Sequence, residues 1–175
     1  MTSEPTIVPY SRERHGNGPW RVVKAVFDEY GFPFDENDYD ADVLRPEDHY
    51  DGESGWFFVA ETLAGEVVGC VGLTNEGEGL FELHRLYVLK DARKGGMGAR
   101  LVRTIIDLAM GRGARNLVLF SDVAFVDAHR LYLRVGFRNN RFRYAPDPWQ
   151  SREWGFTMDV TLRRAEHDAM NPEPR

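Results

Sequence analysis

The sequence predicts one mixed α/β domain built around a single central sheet. Three observations carry this. Stretches with the two-residue period of strands and the 3.6-residue period of helices follow one another in the order β-α-loop-β-β-β-α-β-α-β-β, neither pure βαβ repetition nor pure hairpins. No internal repeat is visible. A chain of 175 residues buries roughly 70% of its unfolded surface, so it needs no metal or disulfide staple. Residues 1–162 are read as that domain. Residues 163–175 carry few apolar anchors and two prolines, and are expected to be a flexible tail.

Thr6–Tyr10 reads as a short strand. Pro19 suits the first turn of a helix, and Val22, Val23, Val26, Phe27 and Tyr30 continue it with helical spacing until Gly31. Residues 32–53 are strongly acidic and are expected to be mostly loop, with a short helix near Ala41–Leu44. Trp56–Glu61 and Val67–Leu73 are strand-like runs joined by a turn at Ala64-Gly65. A second turn spans Glu76–Gly79, and Leu80–Leu89 forms the next strand. Leu101, Ile105, Leu108 and Ala109 make an apolar stripe on a helix from Met97 to Met110. Leu117–Phe120 has the continuous apolar character of a strand buried on both faces. Val126–Val135 is a second amphipathic helix, ended by Gly136. Phe137–Tyr144 and Trp154–Leu162 complete the strands.

Composition excludes several classes. There is no apolar run near the ~20 residues of a membrane helix, and no secretory signal pattern at the N-terminus. The single cysteine, Cys70, excludes an internal disulfide or a Cys-based zinc site and reads as a small core residue. A cytoplasmic location, no membrane contact and no metal are the expectations. The formal net charge of −6 argues mildly against nucleic-acid binding. That charge is unevenly spread. Residues 1–82 carry 18 acidic and 5 basic side chains, whereas residues 83–175 carry 10 and 17.

The most informative stretch joins the strand at Leu86-Tyr87-Val88 to the next helix through Arg93-Lys94-Gly95-Gly96-Met97-Gly98-Ala99. Amides at a helix N-terminus are unpaired and carry the positive end of the helix dipole. Glycines let a ligand approach the backbone, and Arg93 and Lys94 add charge. The result is an anion site suited to a phosphate or pyrophosphate. Neither a P-loop nor a dinucleotide fingerprint is present. A ligand-free glycine turn is the alternative.

With Arg93-x-x-Gly96-x-Gly98 after Leu86-Tyr87-Val88, and Ala128-x-x-Leu131-Tyr132-x-x-x-Gly136-Phe137 about 30 residues on, the sequence resembles the GNAT superfamily of N-acetyltransferases. The likeness is good over roughly residues 55–162 and rests on element order before that. It implies a splayed central sheet flanked by helices, with acetyl-CoA as co-substrate wedged between the fourth and fifth strands. The pantetheine arm would bond to the backbone of Leu86, Tyr87 and Val88. The pyrophosphate would sit on amides of Lys94–Ala99. Phe125 stands where many members have Asn, so a polar contact to the arm is not carried over.

The resemblance also implies a direct transfer to an amine. Tyr132 matches the family's usual general acid, and a Tyr packed on the helix face is the alternative. Some members place a base Glu where Glu82 stands. Strand alternation puts Glu82, His84, Leu86 and Val88 on one face, which leaves His84 as a rival base. His129 and Arg130 read as structural or surface residues. The acceptor side falls on Trp20–Tyr50 and Arg143–Trp154. The acidic and aromatic character of the first suits a cationic small molecule or a peptide amine, though a solvated acidic surface fits as well. The second segment would cover a substrate or form a dimer contact, so a monomer or a homodimer is expected. A non-catalytic acyl-CoA sensing module on the same fold is the alternative function.

Overall fold

The computed structural model describes residues 4–163. Its strands are β1 (Thr6–Pro9), β2 (Gly55–Glu61), β3 (Val67–Gly77), β4 (Leu80–Val88), β5 (Asn116–Asp122), β6 (Arg138–Tyr144) and β7 (Arg152–Asp159). Its helices are α1 (Arg12–His15), α2 (Gly18–Tyr30), α3 (Pro46–His49), α4 (Met97–Gly111) and α5 (Val126–Val135). The strands form one sheet in the order β1-β2-β3-β4-β5-β7-β6. Every neighbouring pair is antiparallel except β4 and β5, which run parallel. The mixed α/β architecture expected from the element order is the one observed.

Two apolar clusters sandwich the sheet. Along β2, Trp56 and Ala60 belong to the cluster under α4, while Phe57 and Val59 belong to the cluster under α2. That alternation puts α4 and α2 on opposite faces. Leu101 and Ile105 of α4 are fully buried, and burying a side chain of that size is worth roughly 1.5–3 kcal/mol. Cys70 lies in the α2 cluster, fully buried, with its thiol 3.3 Å from the Arg85 carbonyl.

Several boundaries differ from the sequence expectation for physical reasons. The short helices α1 and α3 have only one turn each, too short for an apolar period to show. The last strand ends at Asp159 rather than Leu162. There the Asp159 carboxylate accepts from the Thr161 amide at 2.9 Å, and residues 160–163 turn helical. The expected loop after β4 is a 3-10 turn over Lys90–Gly95. Residues 164–175 of the expected tail lie outside the described residues, but Arg163 is tied down by a bond to the Val135 carbonyl at 2.8 Å.

Two features of β4 position the site. Its pairing with β5 runs only from Leu80↔Asn116 to Leu83↔Leu119, after which the strands part. Its pairing with β3 jumps from Gly72↔His84 to Cys70↔Tyr87, so Arg85 and Leu86 stand opposite the single residue Val71. Arg85 has a φ of 53° in this bulge. The extra residue reverses the alternation. Glu82 and His84 therefore do not share a face with Leu86 and Val88, as strict alternation predicts. Leu86 and Val88 instead join Phe81 and Leu83 in the α4 cluster.

Candidate active site

The parting of β4 from β5 opens a cleft of about 400 Å³. Leu86, Tyr87 and Val88 line it from β4, Phe120 and Ser121 from β5, and Leu131 and Tyr132 from α5. Gly96, Gly98 and Ala99 line it at the start of α4. Gly96 sits just before that helix at φ 73°, a left-handed conformation that L side chains avoid. It turns the chain into α4, whose first-turn amides have no partner within the helix, and brings Gly98 and Ala99 to the cleft wall. A Cβ on Gly98 would come within 3.1 Å of Leu131, so glycine there also lets α4 approach α5. The helix dipole adds roughly half a positive charge. The donor set fits a polyanionic pyrophosphate.

The expected cations divide. Arg93 is not a free charge. Its Nε donates to the Val88 carbonyl at 2.9 Å, and its two terminal nitrogens hold Glu29 of α2 at 2.9 and 2.7 Å. This fork keeps the Glu29 carboxyl below its usual range. Arg93 therefore fastens α2 to the end of β4. Lys94 is exposed on the neighbouring turn with no ion-pair partner among the described residues, and Gly95 beside it is exposed too. Neither lines the cleft. The Met97 side chain is buried in the core, and Met97 is not among the residues that line the cleft.

Tyr132 is 4% exposed and packs against Phe137 and Phe156, with centroids 6.0 and 5.3 Å away. Its hydroxyl has no hydrogen-bond partner among the described residues. Burial pushes the phenol well above its ordinary pKa, so it stays protonated at neutral pH. Phe125 fills the Asn position of the family pattern. Its ring meets Tyr30 at 4.7 Å, Phe32 at 5.3 Å and Tyr87 at 6.0 Å, an aromatic bridge from the β5–α5 turn to α2 and β4.

Glu82 and His84 are side by side but do not line the cleft. They face Thr74 and Glu76 of the β3–β4 hairpin. The Thr74 hydroxyl is 2.8 Å from His84 Nε2 and 2.5 Å from a Glu76 oxygen. Although His84 Nδ1 is 3.7 Å from Glu82, burial drives both toward their neutral forms. It lifts Glu82 to about 7 and lowers His84 to about 4. Ligand atoms of Glu76, Glu82 and His84 lie within 4.8 Å of one another.

Two other parts of the cleft wall carry polar side chains. Ser121 Oγ lies 3.2 Å from His129 Nε2, and burial lowers the His129 pKa while the Asp122 backbone and carboxylate oppose this. His129, read from sequence as structural or surface, thus presents a hydroxyl to the cleft. On the other side, Tyr39, Asp147, Trp149 and Glu153 line the opening from the segment after α2 and from the β6–β7 region. Much of the acidic run is already engaged internally. Asp40 and Asp42 hold Arg85 at 2.7 Å each, with the Tyr39 carbonyl accepting a third bond at 2.7 Å. Asp51 accepts from the amides of Glu53, Ser54 and Gly55, which hold its carboxyl far below the usual range. Among the described residues no helix is long and apolar enough to cross a membrane.

Comparison with known proteins bears on the family and the fold. Residues 20–137, more than half of the chain, match the Acetyltransferase (GNAT) family. An uncharacterised N-acetyltransferase of Schizosaccharomyces pombe is 29% identical over 124 residues, covering 70% of this chain and 76% of that protein. A probable N-acetyltransferase, camello, of Xenopus tropicalis is 35% identical over 96 residues, covering 54% of this chain but only 43% of that protein. Among solved structures, a GNAT-family acetyltransferase from Staphylococcus aureus Mu50 superposes with a TM-score of 0.77 at 19% identity, covering 89% of this chain and 99% of that one. That likeness speaks to the fold. The parted strands, the open amides and the match over residues 20–137 lead to one conclusion: the chain belongs to the GNAT family of acetyltransferases, whose chemistry is acyl transfer.

Proposed function

We propose that the chain moves the acetyl group of acetyl-CoA onto an amine by direct attack in a ternary complex, and that the acceptor is a cationic small molecule or a peptide amine. Family members normally take acetyl-CoA or another acyl-CoA as donor. The arrangement that supports the reading most is that the open amides of α4 and the Tyr132 ring line one cleft. Acetyl-CoA supplies the thioester. The amides of Met97, Gly98 and Ala99, with Lys94 nearby, would hold the pyrophosphate. The β4 backbone around Leu86–Val88 would align the arm, and α5 would bring Tyr132 to the sulfur as proton donor. A phenol held protonated by burial suits that role, because a departing thiolate needs a proton.

The test is incubation with acetyl-CoA and a broad amine panel, following release of free thiol. Turnover on at least one amine is expected. A rise in melting temperature with CoA but no turnover on any amine would point to the sensing module instead. No shift and no turnover would remove both readings.

A further inference from the structure

We infer that Glu153, at the start of β7, is the residue that takes the proton from the acceptor ammonium. The inference rests on the acetyl-transfer reading above. It starts from a mismatch: Glu82, the base implied by the resemblance, stands opposite Thr74 with its carboxylate near Glu76 of the β3–β4 hairpin, whereas Glu153 lines the cleft. Glu153 stands opposite Asp122, three residues beyond Leu119, the point at which β4 and β5 part. It is therefore beside the opened section of the sheet.

The side chain is held for a purpose. Arg143 pairs with Glu153 across β6 and β7, and its Nε donates to Glu153 Oε2 at 2.7 Å. The Arg143 guanidinium in turn lies 3.5 Å over the ring of Phe120, which lines the cleft. One carboxylate oxygen is thus anchored through a stacked cation. The other, Oε1, has no partner among the described residues. A base needs this combination of a fixed orientation and a free lone pair.

The charges around it favour an ammonium. Asp147 reaches it from the β6–β7 loop, Asp122 from β5 and Glu82 from β4, while Tyr39 adds a phenol from the segment after α2. Arg143 is the cation among these neighbours. Burial, with Asp147 and Asp122, raises the Glu153 pKa against the opposing pull of Arg143. Burial also lifts Tyr39 to about 12, so that its hydroxyl remains a neutral donor. A carboxylate whose charge is crowded by other acids gains from a cationic partner and holds a proton more readily. In the step, an N–H bond of the ammonium breaks and its proton passes to Oε1. The nitrogen keeps the electron pair and forms the new C–N bond as the thioester C–S bond breaks. The leaving sulfur takes the Tyr132 proton, the second proton lost from the acylated nitrogen restores the phenol, and the Glu153 carboxyl later gives its proton to water.

The test uses the wild type, Glu153→Gln, Glu153→Asp and Glu82→Gln with an amine that the panel shows to be a substrate. Glu153→Gln is expected to cut kcat at least ~30-fold, within the range of general-base effects, and to remove the acidic limb of the pH–rate profile. CoA affinity and melting temperature should stay near wild type. Glu153→Asp should recover part of the limb, and Glu82→Gln should keep it. An acceptor already neutral at the assay pH, such as an arylamine, should narrow the Glu153→Gln deficit. If wild type is active and Glu153→Gln retains the limb, or Glu82→Gln is the variant that loses it, the inference is overturned alone. A wild type inert on every amine overturns the acetyl-transfer reading and this with it.

Discussion

Replacing Tyr132 by Phe removes one oxygen and leaves the ring contacts with Phe137 and Phe156 intact. The variant therefore separates a proton donor from a packing residue. Turnover should fall more than about tenfold while CoA affinity is kept, because general acids typically contribute ~10²–10⁴-fold. Steady-state kinetics beside a CoA titration check this, and near-normal turnover would make Tyr132 a packing residue. Glu82 carries a different prediction. Its folded pKa of about 7 is above the ordinary value of 4.5, so between those pH values the folded state binds more protons than the unfolded one. Stability from this group is then full below pH 4.5 and declines as pH rises through 7. Glu82→Gln escapes that decline. Its melting temperature minus that of wild type should grow from pH 4.5 to 7.5, and a flat difference would refute the buried-carboxyl account. At this scale the sequence was legible where function rests on backbone. Gly96 and Gly98 announce a turn and a close approach whatever their neighbours. It was not legible where function rests on partners. Nothing in the order of residues says that Arg93 meets Glu29, or that Glu153 rather than Glu82 reaches the cleft.

Among the elements, β4 decides most of the site, and its bulge is a feature that periodicity could not show. Alternation assigns faces only while the register holds, and Arg85 breaks it. The inserted residue turns a half-buried guanidinium toward the acidic segment, where Asp40, Asp42 and the Tyr39 carbonyl close around it. The segment that reads as loop is thereby fixed to the sheet at the edge of the cleft. Removing Arg85 would leave Asp40, fully buried, without its cation. Arg85→Met should therefore destabilise the fold by roughly 3–5 kcal/mol, the usual result of stranding a buried charge. Urea denaturation at pH 7 measures it, and a loss below about 1 kcal/mol would mean that the carboxylates find water instead. Long amphipathic elements such as α4 and α5 were readable because one face repeats over three or more turns. The one-turn helices α1 and α3 repeat nothing.

For the whole molecule, the charge imbalance of the sequence becomes a distribution around one cleft. The acidic front half does not face the ligand as a block. Asp40 and Asp42 neutralise Arg85, Glu29 neutralises Arg93, and Asp51 holds its own turn. What lines the opening comes largely from the back half: Asp122 and Asp147, which also accept from amides of their own turns, and Glu153, which is bound to Arg143. Composition pointed to a cationic acceptor on the strength of residues that are mostly engaged elsewhere, yet the wall formed by other residues has the same sign. The consequence is measurable. Raising ionic strength from 0.1 to 1 M shortens the Debye length from ~10 to ~3 Å, which weakens attraction to carboxylates at an open cleft. The KM of a diamine or other polycation should rise several-fold over that range, whereas the KM of an amine with no second charge should change little. Acetyl-CoA must be saturating in both arms, because salt would also weaken binding of the polyanionic donor proposed above. An equal response of the two amines would remove the electrostatic basis for a cationic acceptor and leave shape and the Tyr39 and Trp149 rings to select it.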